Sequence, residues 1–261
     1  MIPVVILAGG TGTRLREMTE YLPKALIPIG GKPMIWHIMK LYAHYGFKDF
    51  ILALGYKQEA FKQYFAHFYQ INNDIKVSTG RYYGMCHNLG YSLDVSGDDW
   101  TVTLSDTGEN TLKGGRLKRV EKYIEGDTFM CCYGDGLADI DLKALLAFHN
   151  SHGKIVTMTA VHPPPRFGEV CRDSDNRVVS FKEKPLDGSH LISGGFFVFN
   201  RGIFDYLTVG GDLEVGPLEL LAEKGEVMAY HRKGWFGCMD TLNDMLKLQE
   251  LWDSGKAPWI R

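Results

Sequence analysis

The sequence predicts an α/β fold of the Rossmann-like kind, a mixed and mostly parallel sheet flanked by helices. Three observations carry this: a β-branched opening strand that runs straight into glycines, alternating strand-like and helix-like segments, and an ordinary globular composition of 45% hydrophobic and 23% charged residues over 261 positions. Ile2 to Ala8 is short and apolar on both faces, which fits a fully buried parallel strand. Pro33 then opens a helix in which Ile35, Ile38, Met39 and Tyr42 recur at helical spacing until Gly46. Phe50 to Leu54 is the next strand. Lys57 to Phe68 is the next helix, with Phe61, Tyr64, Phe65 and Phe68 along one face.

Gly80 to Trp100, rich in Tyr, Gly, Asn and Asp, breaks the alternation and is expected to be an inserted loop or hairpin. The rhythm resumes with a strand from Thr101 to Leu104, a helix from Gly115 to Ile124, a strand from Phe129 to Tyr133, a helix from Leu142 to His152 and a strand from Ile155 to Val161. Beyond Pro163 the expected strands crowd together at Glu169 to Cys171, Val178 to Phe181 and Phe196 to Phe199, so this half reads as more antiparallel. A helix from about Leu242 to Trp252 ends the pattern. We expect one domain over 1–261, with the insertion at 80–100 and the more antiparallel half at 163–240.

Composition excludes several functions. A net charge of −2 with mixed signs argues against a broad nucleic-acid-binding surface. No apolar run approaches the roughly 20 residues that span a bilayer, and no secretion signal is visible. Five cysteines without metal-ligand spacing read as buried thiols of a cytoplasmic protein.

The chemistry concentrates in Leu7-Ala8-Gly9-Gly10-Thr11-Gly12-Thr13-Arg14-Leu15. Glycines directly after a buried strand let bare backbone N–H groups meet phosphate oxygens, and Arg14 adds a forked cation. The segment lacks the Gly-Lys-Ser/Thr ending of a P-loop. It also lacks the third glycine of a dinucleotide fingerprint, because Leu15 stands three residues after Gly12. Asp135, between Gly134 and Gly136 after an apolar strand, is expected at the carboxyl edge of the sheet, where open α/β sheets place ligands.

The loop followed by Pro23-Lys24-Ala25-Leu26-Ile27-Pro28-Ile29-Gly30-Gly31-Lys32-Pro33 resembles the amino-terminal signature of the sugar-1-phosphate nucleotidyltransferases. Further blocks, among them Gly114-Gly115-Arg116-Leu117-Lys118-Arg119, Tyr133-Gly134-Asp135-Gly136, Phe181-Lys182-Glu183-Lys184-Pro185 and Met239-Asp240-Thr241, are similar to its glucose-1-phosphate cytidylyltransferase branch nearly end to end. This resemblance implies transfer of a cytidylyl group from CTP to a sugar-1-phosphate with Mg2+, the alternatives being another nucleotide or acceptor, or an inactive nucleotide-sugar-binding regulatory module. It further implies a homo-oligomer, and the insertion is expected to contribute to the contact because Tyr82, Tyr83, Tyr91 and Trp100, read as exposed, are of the types enriched at interfaces.

It implies roles for Arg14, Lys24 and Asp135 in catalysis. Leu7, Ala8, Gly9, Gly10, Gly12, Thr13, Arg14, Lys24, Thr107 and Arg116 are assigned to nucleotide binding by the same route. Tyr133, Gly168, Glu183, Lys184, Ser193 and Gly194 are assigned to the sugar phosphate, and Asp135 and Asp240 to the metal. The Gly-Gly-Arg block, where a glutamine-containing segment is usual for thymidine or uridine, points to cytidine. Ser193 stands where the branch carries Asn, which bears on glucose as acceptor.

Overall fold

The computed structural model describes residues 2–74, 98–163, 169–182, 191–231 and 233–260. In chain order its elements are β1 (Val4–Leu7), α1 (Arg16–Thr19), β2 (Pro28–Ile29), β3 (Lys32–Pro33), α2 (Met34–His44), β4 (Asp49–Leu54), α3 (Gln58–Ala66), α4 (Phe68–Asn72), β5 (Thr101–Asp106), α5 (Lys113–Val120) and β6 (Thr128–Tyr133). There follow β7 (Gly136–Ala138), α6 (Leu142–His152), β8 (Val156–Val161), β9 (Glu169–Arg172), β10 (Val178–Lys182), β11 (Ile192–Asn200), α7 (Glu219–Glu223), β12 (Val227–His231), β13 (Phe236–Cys238) and α8 (Leu242–Asp253).

Seven strands form the main sheet in the order β12-β8-β11-β6-β1-β4-β5. β1 lies at its heart, parallel to β4 and to β6, and β5 continues the parallel run beyond β4. Only β11 runs against its neighbours β6 and β8. The expected Rossmann-like class is therefore what the chain adopts.

Strand side chains alternate between two cores, as a period of two requires. Val4, Ile6, Phe50, Leu52, Met130, Cys132, Phe196 and Val198 face one cluster with α2, α6 and α8, whereas Val5, Leu7, Ile51, Cys131, Phe197 and Phe199 face the other with α5 and α7. Both faces of β1 are thus covered, which is why every one of its residues is apolar.

Several boundaries differ from the sequence reading. The helix expected over 57–68 breaks at His67, whose φ of −106° interrupts α3 before α4. The helix expected from Gly115 begins two residues earlier, at Lys113, and tightens into a 3-10 turn over Glu121–Tyr123. β12 had no counterpart in the expectation. It is a half-exposed edge strand, parallel to β8, whose sequence Val-Met-Ala-Tyr-His lacks a run of β-branched residues.

Trp100 is not an exposed aromatic: it packs edge-on to Phe50 at 5.9 Å and tilted against Phe68 at 5.6 Å. Tyr82, Tyr83, Tyr91 and the insertion before residue 98 lie outside the described residues. Cys131, Cys132 and Cys238 form no disulfide among the described residues, and the first two are buried as expected. Among the described residues no helix is long and apolar enough to cross a membrane.

Candidate active site

At the carboxyl ends of β1 and β6 a cavity of about 450 Å³ opens, lined by Leu7 through Arg14, Lys24, Arg116, Tyr133, Gly134, Asp135 and Asp240. The loop after β1 is built by local sterics. Gly12 has φ +64°, and a Cβ there would stand 2.7 Å from Thr19 Cγ2, while the Thr19 hydroxyl donates to the Gly12 carbonyl at 3.1 Å. No other residue type adopts that turn so cheaply.

Asp135 and Asp240, 105 positions apart in sequence, meet because β7 and β13 pair antiparallel with Gly136 opposite Cys238, and the Met239 N–H donates to the Asp135 carbonyl at 2.9 Å. Asp240 is not the cap of α8. Thr241 fills that place, its hydroxyl accepting from the Asp244 N–H at 3.2 Å in a reciprocal capping box, which leaves the Asp240 carboxylate to the cavity.

Lys24 lies between the two carboxylates. Its Nζ donates to Asp135 Oδ2 at 2.8 Å and to Asp240 Oδ1 at 2.7 Å, and Arg14 donates to Asp240 Oδ2 at 3.3 Å. Burial works to lower the Lys24 pKa, but the charges and hydrogen bonds of Asp135 and Asp240 outweigh it and hold the ammonium above its ordinary range. The converse applies at Asp240: burial pushes the carboxyl up, and Lys24 with Arg14 brings it below the usual value.

Among the described residues no group of three or more His, Cys, Asp or Glu gathers as a metal cage. Two hard carboxylates at the base of an open cavity are what Mg2+ uses when phosphates and water supply the remaining oxygens, so the donor set fits that ion.

Arg116 departs from both readings that its position on a basic helix invites, a surface charge or a free arm toward a base. It is only 4% exposed, and its guanidinium donates to the carbonyls of Gly9 (2.9 Å), Leu54 (3.1 Å), Gly108 (2.8 Å) and Glu109 (2.9 Å) and to the Thr107 hydroxyl (2.8 Å). Thr107 in turn donates to the Leu54 carbonyl at 2.6 Å. Gly9 and Gly55 leave room for this group, since a Cβ on either would fall 2.1 Å or 2.3 Å from Arg116 Nη1. Burial pulls the guanidinium pKa down, yet so strong a base stays charged. Arg116 and Thr107 therefore brace the glycine loop from beneath.

Also at the cavity, the Tyr133 hydroxyl and Lys113 both donate to Glu214 Oε1, and the Lys113 ammonium sits 5.0 Å from the centre of the Tyr133 ring. Burial, then Glu214, drives the phenol pKa far up, so Tyr133 remains a neutral donor. Sequence reasoning passed over Lys113, Glu214, Thr111, Leu112 and Asp212, because each is an isolated polar or apolar residue without a spacing signal.

The remaining assignments divide. Gly168, Glu183 and Lys184 lie outside the described residues. Ser193 does not line the cavity, and its Oγ accepts from the Gly195 N–H at 3.3 Å. Gly194 is buried at the register shift in β11, where a Cβ would stand 2.7 Å from Thr159 Oγ1, so packing alone requires a glycine there.

Comparison with known proteins places this geometry. Residues 3–220 match the nucleotidyl transferase family model. The chain is 45% identical over 257 residues to a glucose-1-phosphate cytidylyltransferase of Salmonella typhi, covering 98% of this chain and 97% of the relative. It is 38% identical over 257 residues to a probable glucose-1-phosphate cytidylyltransferase of Bacillus subtilis, with 98% of each chain covered. Among solved structures, HddC from Yersinia pseudotuberculosis complexed with GMP-PN superposes with a TM-score of 0.66 at 25% identity, over 97% of this chain and 100% of that one. A glycine loop braced from below, a carboxylate pair at the sheet edge and this similarity along nearly the whole chain make one conclusion: the protein belongs to the nucleotidyl transferase family.

Proposed function

We propose that the protein transfers a cytidylyl group from CTP to a sugar-1-phosphate, releasing pyrophosphate and forming a CDP-sugar. The observation that carries this reading is the Lys24, Asp135, Asp240 and Arg14 cluster under a glycine loop, on a chain 45% identical to a glucose-1-phosphate cytidylyltransferase. The acceptor's phosphate oxygen attacks the α-phosphorus in line, the new P–O bond forms as the bond to the β-phosphate breaks, and pyrophosphate departs. A phosphate monoester is mostly a dianion at neutral pH, so no general base is needed.

The residues supply positioning and charge. Backbone N–H groups of Gly9 to Thr13 face the triphosphate, and Arg14 neutralises its leaving end. Lys24 contacts the transferring phosphate. Asp135 and Asp240 would hold Mg2+, which when bound offsets the negative charge of the phosphates. Lys184, Glu183 and Tyr133 are assigned to the sugar phosphate and its hydroxyls.

We further propose a single domain over 1–261, a cytoplasmic location and a homo-oligomer. Release of pyrophosphate measured for four nucleoside triphosphates against a panel of sugar phosphates tests the reading. Turnover should require CTP and a divalent cation, and activity confined to another nucleotide would overturn the base assignment. Absence of turnover with intact nucleotide-sugar binding would favour the inactive regulatory module instead.

Although Ser193 lies outside the lining of the cavity, its place where the resembled branch carries Asn motivates a second reading of the acceptor. Its short hydroxyl offers one donor where Asn offers two, and it is engaged with the backbone of the β11 bulge. A preference for a sugar-1-phosphate other than glucose-1-phosphate is then expected. Comparing kcat/KM across the panel decides it, and an exclusive preference for glucose-1-phosphate would remove Ser193 from specificity.

A further inference from the structure

Lys24 occupies the place a divalent cation needs. Its ammonium stands 2.8 Å from Asp135 Oδ2 and 2.7 Å from Asp240 Oδ1, and its side chain is only 14% exposed. A Mg2+ ligated by the same two oxygens would lie about 2.0–2.1 Å from each. An ammonium held between them and a cation bound to them cannot share that space. Two carboxylates facing one cavity also repel each other, and Lys24 is the buried cation that compensates both at once. Arg14 does less, because it touches only the far oxygen of Asp240 and is 73% exposed. The Lys24 stem runs beneath the glycine loop, since a Cβ built on Gly12 would come within 3.2 Å of Lys24 Cβ. A short swing of the side chain therefore carries the ammonium from the carboxylates toward the site proposed for the phosphates.

We infer that Lys24 is a place-holder as well as a phosphate contact: it holds the Asp135 and Asp240 pair compensated in the free protein, and it leaves for the nucleotide phosphates when the divalent cation enters. This rests on the reading that those two carboxylates bind the metal. The consequence is coupling. The cation alone meets a site already filled, whereas nucleotide offers Lys24 a new anionic partner, so each ligand strengthens the other by the same factor. The arrangement would also keep the protein from holding a cation without substrate.

Mn2+ binding followed by electron paramagnetic resonance, without nucleotide and without turnover, tests this. Lys24→Met keeps the length of the side chain and removes the charge, and it should bind Mn2+ at least about tenfold tighter than wild type, within the usual range of coupling between sites. Arg14→Gln, which also removes one positive charge but not the one between the carboxylates, should gain less than about threefold on the same scale. Equal affinity in Lys24→Met and wild type would overturn the place-holder, and so would equal gains in the two variants, which would reduce Lys24 to long-range charge. Asp135→Asn separates the two readings. If it loses Mn2+ while Lys24→Met gains nothing, the metal site stands and the place-holder falls. If Mn2+ binds none of the proteins even with a non-cleavable CTP analogue, both fall. Should Lys24→Met not fold, a crystal structure of wild type with Mn2+ and the analogue decides: Lys24 withdrawn from both carboxylates is expected, and Lys24 still bonded to both beside a bound Mn2+ overturns the inference.

Discussion

Asp135 and Asp240 have the same side chain, yet only their surroundings give either of them a function. Asp135 follows a buried strand and Asp240 precedes a helix that Thr241 caps, and both carboxylates meet at the Lys24 ammonium. Asp135→Asn and Asp240→Asn should each lower turnover by at least about a hundredfold, since loss of one charged group at a phosphoryl centre removes several kcal/mol of transition-state stabilisation. Thermal unfolding should stay within a few degrees of wild type. Normal pyrophosphate release from either variant would remove that residue from the metal site.

Arg116 belongs to stability more than to direct contact. Arg116→Met would remove the guanidinium donor from the carbonyls of Gly108 and Glu109 and from the Thr107 hydroxyl, whereas the Gly9 and Leu54 carbonyls keep the N–H groups of Tyr56 and Thr107. A loss of about 2–4 kcal/mol in unfolding free energy is expected. Urea denaturation measures it, and an unchanged midpoint would show that the loop does not depend on this brace.

Elements bring these residues into place through pairings that no local signal announces. The three-residue β7 and β13 ladder is the device that carries Asp240 to Asp135. Beside Tyr133, the register shift of β11 between Ser193 and Phe197 depends on Gly195, whose φ of +73° suits glycine and whose missing Cβ leaves room for the Tyr133 ring. A Cβ there would stand 2.7 Å from Tyr133 Cδ2. Gly195→Ala should therefore push Tyr133 away from Glu214 and disturb the acceptor side of the cavity alone. Steady-state kinetics should show a raised KM for the sugar phosphate, by about tenfold for a lost hydrogen bond in a closed site. The KM for CTP should hardly move, and an equal rise in both would place Tyr133 between the two substrates.

At the scale of the whole molecule, the sheet covers both its faces with helices and leaves edges at β5 and β12. The packing of Trp100 against Phe50 and Phe68 withdraws one aromatic from the interface proposed for the 80–100 insertion, so any oligomer contact there rests on Tyr82, Tyr83 and Tyr91. Light scattering at micromolar concentration should give a mass above that of one chain, and a strictly monomeric mass would end the proposal. The main elements were legible in the chain itself, because buried strands such as Val4–Leu7 and amphipathic helices such as Leu142–His152 print their environment as periodicity. The glycine loop was legible because a backbone that approaches phosphate must lack Cβ atoms, Asp135 because it stands between two glycines after an apolar strand, and Lys24 through the resemblance to the nucleotidyltransferase signature. The edge strand β12 left no such mark, since it is half exposed and short of β-branched residues. Only the tertiary structure decided that Arg116 is a buried brace, that Thr241 and not Asp240 caps α8, and that Lys24 sits between two carboxylates. The Thr241 cap is local, closed with Asp244, but the bonds of Arg116 to Gly9 and of Lys24 to Asp135 and Asp240 join residues more than a hundred positions apart, and periodicity reports a residue's local face but not its distant partner.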